Sequence, residues 1–132
     1  MVYFIEVKEI KCSSCGSRYV VVNNKGVRCP RCGKKSFKTI NVTKLTFDSV
    51  DDYMIILRHV RGVSGVIRPK PPKDRRAGGM MKVRVEYSED ESDLAEKVIN
   101  TIIAILMGLG KTVYRRNWSA YDIKGVTLTA TD

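Results

Sequence analysis

KCSSCGSRYVVVNNKGVRCPRCGKK, residues 11–35, holds all four cysteines of the 132-residue chain. They form two pairs, Cys12-x-x-Cys15 and Cys29-x-x-Cys32, each followed by a glycine, Gly16 and Gly33. A two-residue gap lets consecutive thiolates turn onto one ion, and the glycine permits the positive φ such a turn needs. Between the pairs, RYVVVNNKGVR reads as two β-prone segments around an Asn-Asn-Lys-Gly turn, a hairpin that brings one pair to the other. Four sulfurs then complete a tetrahedral site with no open position, which makes the metal structural, with zinc the expected ion. The alternative is a pair of disulfides. MVYFIEVKEI is too short, and too charged within its apolar part, to read as a signal peptide. The most apolar run, VINTIIAILMGLG, is too short to span a bilayer. The expectation is a soluble cytoplasmic protein whose thiols stay reduced.

The segments Cys12-Ser13-Ser14-Cys15-Gly16 and Cys29-Pro30-Arg31-Cys32-Gly33 resemble the knuckles of the four-cysteine zinc ribbon, over residues 10–38. That resemblance implies a ribbon fold and one structural zinc ion on Cys12, Cys15, Cys29 and Cys32. It implies no single function, since zinc ribbons occur in transcription factors, RNA polymerase subunits, ribosomal proteins and archaeal proteins of unassigned function. Ribbons of the transcript-cleavage elongation factors carry an Asp-Glu pair at the hairpin tip. Here the tip reads Asn-Asn-Lys-Gly, so that activity is not implied. The tip and its flanks offer Arg18, Lys25, Arg28, Arg31, Lys34 and Lys35 for phosphate contact instead.

Charge points the same way. With 24 Lys and Arg against 14 Asp and Glu, the formal charge is +10. Residues 1–47 carry only Glu6 and Glu9 as acids, and residues 58–84 only Asp74. So segregated a charge makes a basic face, and its expected partner is nucleic acid rather than a membrane. Residues 68–79, RPKPPKDRRAGG, read as a protruding basic loop, stiffened by prolines and freed by glycines, with Arg68, Lys70, Lys73, Arg75 and Arg76 as phosphate contacts. The absence of glutamine and the charged fraction of 29% are common among thermophile proteins.

Beyond the cysteines the chain reads as an α+β domain, with residues 1–41 as the ribbon and 42–132 as the second unit. VTKLTF reads as a strand, and DSVDDYMIILRHVRG as a helix capped by Ser49, stopped at Gly62, with Val50, Tyr53, Met54, Leu57 and Val60 as its apolar stripe. VSGVIR is expected to be a strand. MKVRVEYS alternates as another, with Lys82 and Arg84 opposite the valines. SEDESDLAEKVINTIIAILMGLG reads as a long helix, capped through Ser88 with Glu91 or Asp93 with Glu96. Its apolar surface over 92–109 is broad enough to be deeply packed or to meet a second copy. KTVYRRNW and GVTLTA follow as strands. Strand–helix–strand twice over is the ferredoxin-like βαββαβ order with an extra C-terminal strand. If VSGVIR is not a strand, the order becomes βαβαββ, as in Alba-type nucleic-acid-binding proteins.

No catalytic set emerges. GLGKT is not a phosphate-binding loop: Ile105 stands where the leading glycine belongs, and the helix precedes the motif rather than following it. His59 has no nucleophile to pair with, and helix capping accounts for most of the carboxylates of residues 86–93. The expected function is non-enzymatic nucleic-acid binding, RNA ahead of DNA. Lys82, Arg84, Tyr114, Arg115, Arg116 and Trp118 on a sheet face would add to the basic ribbon and loop residues. The alternative is a protein-interaction adaptor of a transcription or translation complex.

Overall fold

A computed structural model of the chain describes residues 3–23, 28–60 and 79–132. Its elements are β1 (Tyr3–Cys12), β2 (Arg18–Val22), β3 (Phe37–Phe47), α1 (Val50–His59), β4 (Met81–Ser88), a 3₁₀ turn (Glu89–Glu91), α2 (Ser92–Gly108), β5 (Thr112–Ala120) and β6 (Ile123–Thr131). The six strands form one sheet in the order β2-β1-β3-β4-β6-β5, with every neighbouring pair antiparallel.

β1 organises this sheet. It pairs with β3 from Tyr3↔Phe47 to Cys12↔Phe37 and with β2 on its other side. Its buried face changes along its length. Ile5 and Val7 point toward the helices, whereas Ile10 and Cys12 are buried on the opposite face. A residue inserted in β3 accompanies the switch, since Glu9 pairs with Asn41 but Ile10 with Thr39. Two cores result. The larger lies between the sheet and the two helices and includes Leu45, Phe47, Val83, Val85, Ile99 and Leu106. The smaller gathers Ile10, Tyr19 and Val21 around Cys12 and Cys29, with Phe37 against them.

The α+β class and the two helices agree with the sequence reading; three details differ. β1 was not among the expected strands. Arg18–Val22 is a strand as expected, but its partner is the upstream β1, and Arg28 and Cys29 lie outside any strand. In the second half, β4 and β5 run parallel around α2 with one strand between them. That strand is β6, folded back through Tyr121 and Asp122, where the ferredoxin-like order would place β3. From β3 onward the described elements run βαβαββ. VSGVIR, Gly62 and residues 68–78 of the basic stretch lie outside the described residues.

Helix ends follow local chemistry only in part. The Ser49 hydroxyl accepts from the Asp52 N–H at 3.4 Å, the expected cap of α1. Its packed face is centred on Ile56 and Val60, while Val50 and Met54 are exposed, so the stripe is rotated from the expected one. α2 begins without a side-chain cap. Glu91 reaches instead to the Val42 N–H on β3, at 2.5 Å. The other end closes as the glycines suggest: Gly110 has φ +78°, its N–H reaches the Met107 carbonyl, and the Lys111 N–H reaches that of Leu106.

Lys111 then turns inward. Its side chain is wholly buried, and Nζ donates to the Gly79 carbonyl at 2.8 Å and to Asp132 Oδ1 at 2.7 Å. Asp132 Oδ2 accepts from the Gly79 N–H. The Gly79 N–H and then Lys111 hold the Asp132 carboxyl below the usual carboxylate range. A depressed carboxyl stabilises the fold above its unfolded pKa, and that contribution fades as pH falls through the lowered value.

The packing of α2 gives a direct check. Leu106 is fully buried, whereas its neighbour Met107 is 63% exposed. Leu106→Ala is expected to lower unfolding free energy in urea by about 2–5 kcal/mol, and Met107→Ala by no more than about 0.5 kcal/mol. A reversed ranking would put the packed face of the helix elsewhere.

Candidate metal centre and open-face groove

The two cysteine turns have the same local geometry. Gly16 and Gly33 both adopt φ +75°, and their N–H groups bond to the Cys12 and Cys29 carbonyls at 3.0 and 2.8 Å. Cys12 ends β1, Cys29 lies before the second turn, and both are buried by the smaller core. Sγ of Cys12 lies 3.5 Å from that of Cys32, and Sγ of Cys15 lies 3.5 Å from that of Cys29. All four sulfurs fall within 4.8 Å of one another. A disulfide needs about 2.05 Å, so the cysteines are unbridged. Sulfurs around a tetrahedral ion at about 2.3 Å would stand about 3.8 Å apart. The cluster therefore fits one metal ion and is compatible with a zinc ribbon.

Local hydrogen bonds and the mutual proximity of the sulfurs shift the thiols in opposite directions. The Ser17 hydroxyl, 3.2 Å from Cys15 Sγ, and the Ser17 N–H lower Cys15 to about 6. The Cys15 N–H contributes most to lowering Cys12. At Cys32 the Lys34 N–H favours the thiolate, but burial and the other three sulfurs outweigh it and push the thiol up to about 11. A cation held by all four sulfurs must displace that proton. Metal affinity is accordingly expected to fall about tenfold per proton displaced for each pH unit of acidification. Loading with cobalt(II) should give the absorption of one tetrahedral all-thiolate site per chain, and Cys32→Ser should abolish it. Persistence of that spectrum in the variant would remove Cys32 from the ligand set.

Around the second turn, Arg28, Arg31, Lys34 and Lys35 are all exposed. Arg18, also exposed, starts β2 on the sheet face away from the sulfurs. Lys25 lies outside the described residues, as do Arg68, Lys70, Lys73, Arg75 and Arg76.

The other expected contacts lie at the far end of the sheet, on the face the helices leave open, except Arg115, which alternation places with Leu128 on the helix-covered side. Cross-strand register arranges them in rows. One row runs Phe4, Thr46, Arg84, Thr127, Arg116; the row beside it holds Lys82, Thr129 and Tyr114; a third ends in Glu86, Gly125 and Trp118. An open groove of about 510 Å³ is lined by Lys82, Tyr114, Arg116 and Trp118 over Thr127 and Thr129. Tyr114 is 60% exposed. Arg84 is partly engaged, its guanidinium 2.9 Å from Asp48 Oδ1. Arg115 contributes to the groove lining, yet its guanidinium pairs with Glu96 of α2 at 2.7 Å. That bond holds the Glu96 carboxyl low.

Trp118 is seated by an absence. A Cβ on Gly125 would lie 2.1 Å from the indole Cε2, so the ring rests directly on the Gly125 backbone. Gly125→Ala is expected to dislodge the ring at a cost of about 1–3 kcal/mol. Trp118 is the only tryptophan, so a red-shifted intrinsic fluorescence would report its displacement. An unchanged spectrum and stability would contradict this seat.

Phe4 and Lys44 meet on the open face, with Lys44 Nζ 4.5 Å from the Phe4 ring centre; neither was an expected contact, Phe4 because residues 3–12 carry no single strand period and Lys44 because its neighbour Phe4 lies forty residues away. Sequence reasoning also missed Thr127 and Thr129, although their alternation with Val126, Leu128 and Ala130 in GVTLTA is a legible signal. His59 is partly buried, and its Nδ1 lies 2.7 Å from the Ile55 carbonyl of its own helix. Among the described residues no helix is long and apolar enough to cross a membrane. The chain matches no protein-family model, no curated protein and no solved structure.

Proposed function

We propose that the protein is a non-enzymatic nucleic-acid-binding protein that takes single-stranded RNA in preference to DNA, with a structural zinc ion on its four cysteines. The observation that carries this reading is the groove, where an exposed Tyr114 stands among Lys82, Arg116 and Trp118 on a helix-free sheet face. An aromatic ring can stack a base, and flanking cations can hold the phosphates on either side. A flat sheet face suits unpaired bases better than the grooves of a duplex. The Thr127 and Thr129 hydroxyls on the floor offer partners to a ribose 2′-OH. Zinc is favoured for the cluster because four soft thiolates in a closed tetrahedral set suit that ion. The basic residues of the ribbon and of the segment 68–79 add attraction independent of sequence.

Labelled single-stranded RNA, duplex RNA and duplex DNA titrated at several salt concentrations test this. Binding is expected to be tightest for single-stranded RNA and to weaken steeply with salt. Tyr114→Ala should cost about 1–3 kcal/mol of affinity, and Arg116→Ser should reduce the salt slope by about 0.7. Failure of every substrate to bind at moderate salt would overturn the proposal.

A further inference from the structure

The opposite face of the sheet, at its cysteine end, carries charge that the groove does not use. The register of β2, β1 and β3 sets Arg18 opposite Lys11, and Lys11 opposite Lys38. Three cations therefore stand side by side across three neighbouring strands, all exposed. Strand alternation puts them on the face away from Cys12, Ile10 and Tyr19. Adjacent strands lie about 4.8 Å apart, so the three side chains leave the backbone within about 10 Å. Like charges directly opposed on antiparallel strands repel and destabilise the pairing.

Among the described residues that repulsion is only partly offset. Glu9, on this face of β1 two residues from Lys11, accepts from Asn41 Nδ2 at 2.6 Å through Oε1, which directs it toward β3, and its one negative charge offsets the row only in part. Lys11, Arg18 and Lys38 form no ion pair with a described residue. Residues 3–23 and 28–38 together hold eight Lys and Arg against Glu6 and Glu9. A divalent ion on four thiolates would add only two negative charges, which leaves this end of the sheet strongly positive.

We propose that Arg18, Lys11 and Lys38 form a second phosphate-binding surface, which grips the phosphodiester backbone of a nucleic acid. Its ligand rests on the nucleic-acid reading above; its location does not. It occupies the opposite face of the sheet from the groove, on β2, β1 and β3 rather than β4, β6 and β5. One chain then holds two separate stretches of nucleic acid, one on each face. Contact here is with phosphate alone and carries no base preference.

The test is an NMR titration of isotope-labelled, metal-loaded protein with inorganic tripolyphosphate and, separately, with a uridine decamer. A variant combining Lys11→Thr, Arg18→Thr and Lys38→Thr is run beside it. Both probes are expected to shift the amides of Lys11, Arg18 and Lys38. The variant should lose these shifts and keep the groove response. Its salt slope for the decamer should fall by about 2, at about 0.7 per phosphate contact. With the repulsion removed, its melting temperature should equal or exceed the parent's. Decamer shifts confined to the groove, with an unchanged slope in the variant, would overturn the second surface and leave the nucleic-acid reading standing. Tripolyphosphate shifts at the row, with no decamer response on either face, would overturn both nucleic-acid readings and leave a small-anion site. The parent titration decides the point even if the variant is unstable.

Discussion

The pairing of β1 with β3 is the constraint on which the other parts depend. Ten residue pairs, from Tyr3↔Phe47 to Cys12↔Phe37, run from the helix-covered core to the cysteine cluster. Within this ladder the buried face changes from Ile5 and Val7 to Ile10 and Cys12. The two cores consequently share a backbone and lie on opposite sides of it. Ile10, Tyr19, Val21 and Phe37 make too small an apolar cluster to hold a fold alone, and a cross-link through a metal is the usual remedy at that size. Residue 41, near which composition changes along the sequence, lies inside β3.

The helices explain why a site exists on the other face. α1 and α2 both cover the side that carries Leu45, Val83, Val85 and Leu128, which leaves the alternate residues of β4, β5 and β6 uncovered. Two short-range facts then shape that surface. Gly125 lets the Trp118 ring lie on the sheet rather than stand away from it. Asp48 draws the Arg84 guanidinium aside, while Lys82 and Arg116 line the groove. Adjacent residues of one edge strand thus do different work. Arg115 ties β5 to α2 through Glu96, and Arg116 faces the groove from the other side of the strand.

Much of this was legible locally, and the misses share a cause. The cysteine turns follow from spacing and glycine because each closes within five residues. Gly110 ends α2 as a glycine after an apolar helix should, and Ser49 caps α1. The cap of α2 was misread because Glu91 bonds to Val42, forty-nine residues away, rather than to its own helix. β1 escaped notice because Ile5, Val7, Ile10 and Cys12 do not keep one alternating phase. A strand whose two halves are buried on opposite faces has no single period to detect.

The sequence by itself determined the paired cysteine turns, the two helices, most of the strands and the positive character of the surface. Those properties depend on residue type and on contacts within one or two turns of chain. Tertiary structure alone decided which strand pairs with β2, that β6 enters between β4 and β5, and which side of each strand faces water. It thereby separated Arg115 from Arg116 and aligned Arg18, Lys11 and Lys38 into one row. The physical reason is that strand partners and buried faces are selected by apolar burial over the whole chain, through pairings such as Tyr3 with Phe47. The energy of such a pairing is spread over both segments and is invisible in either one.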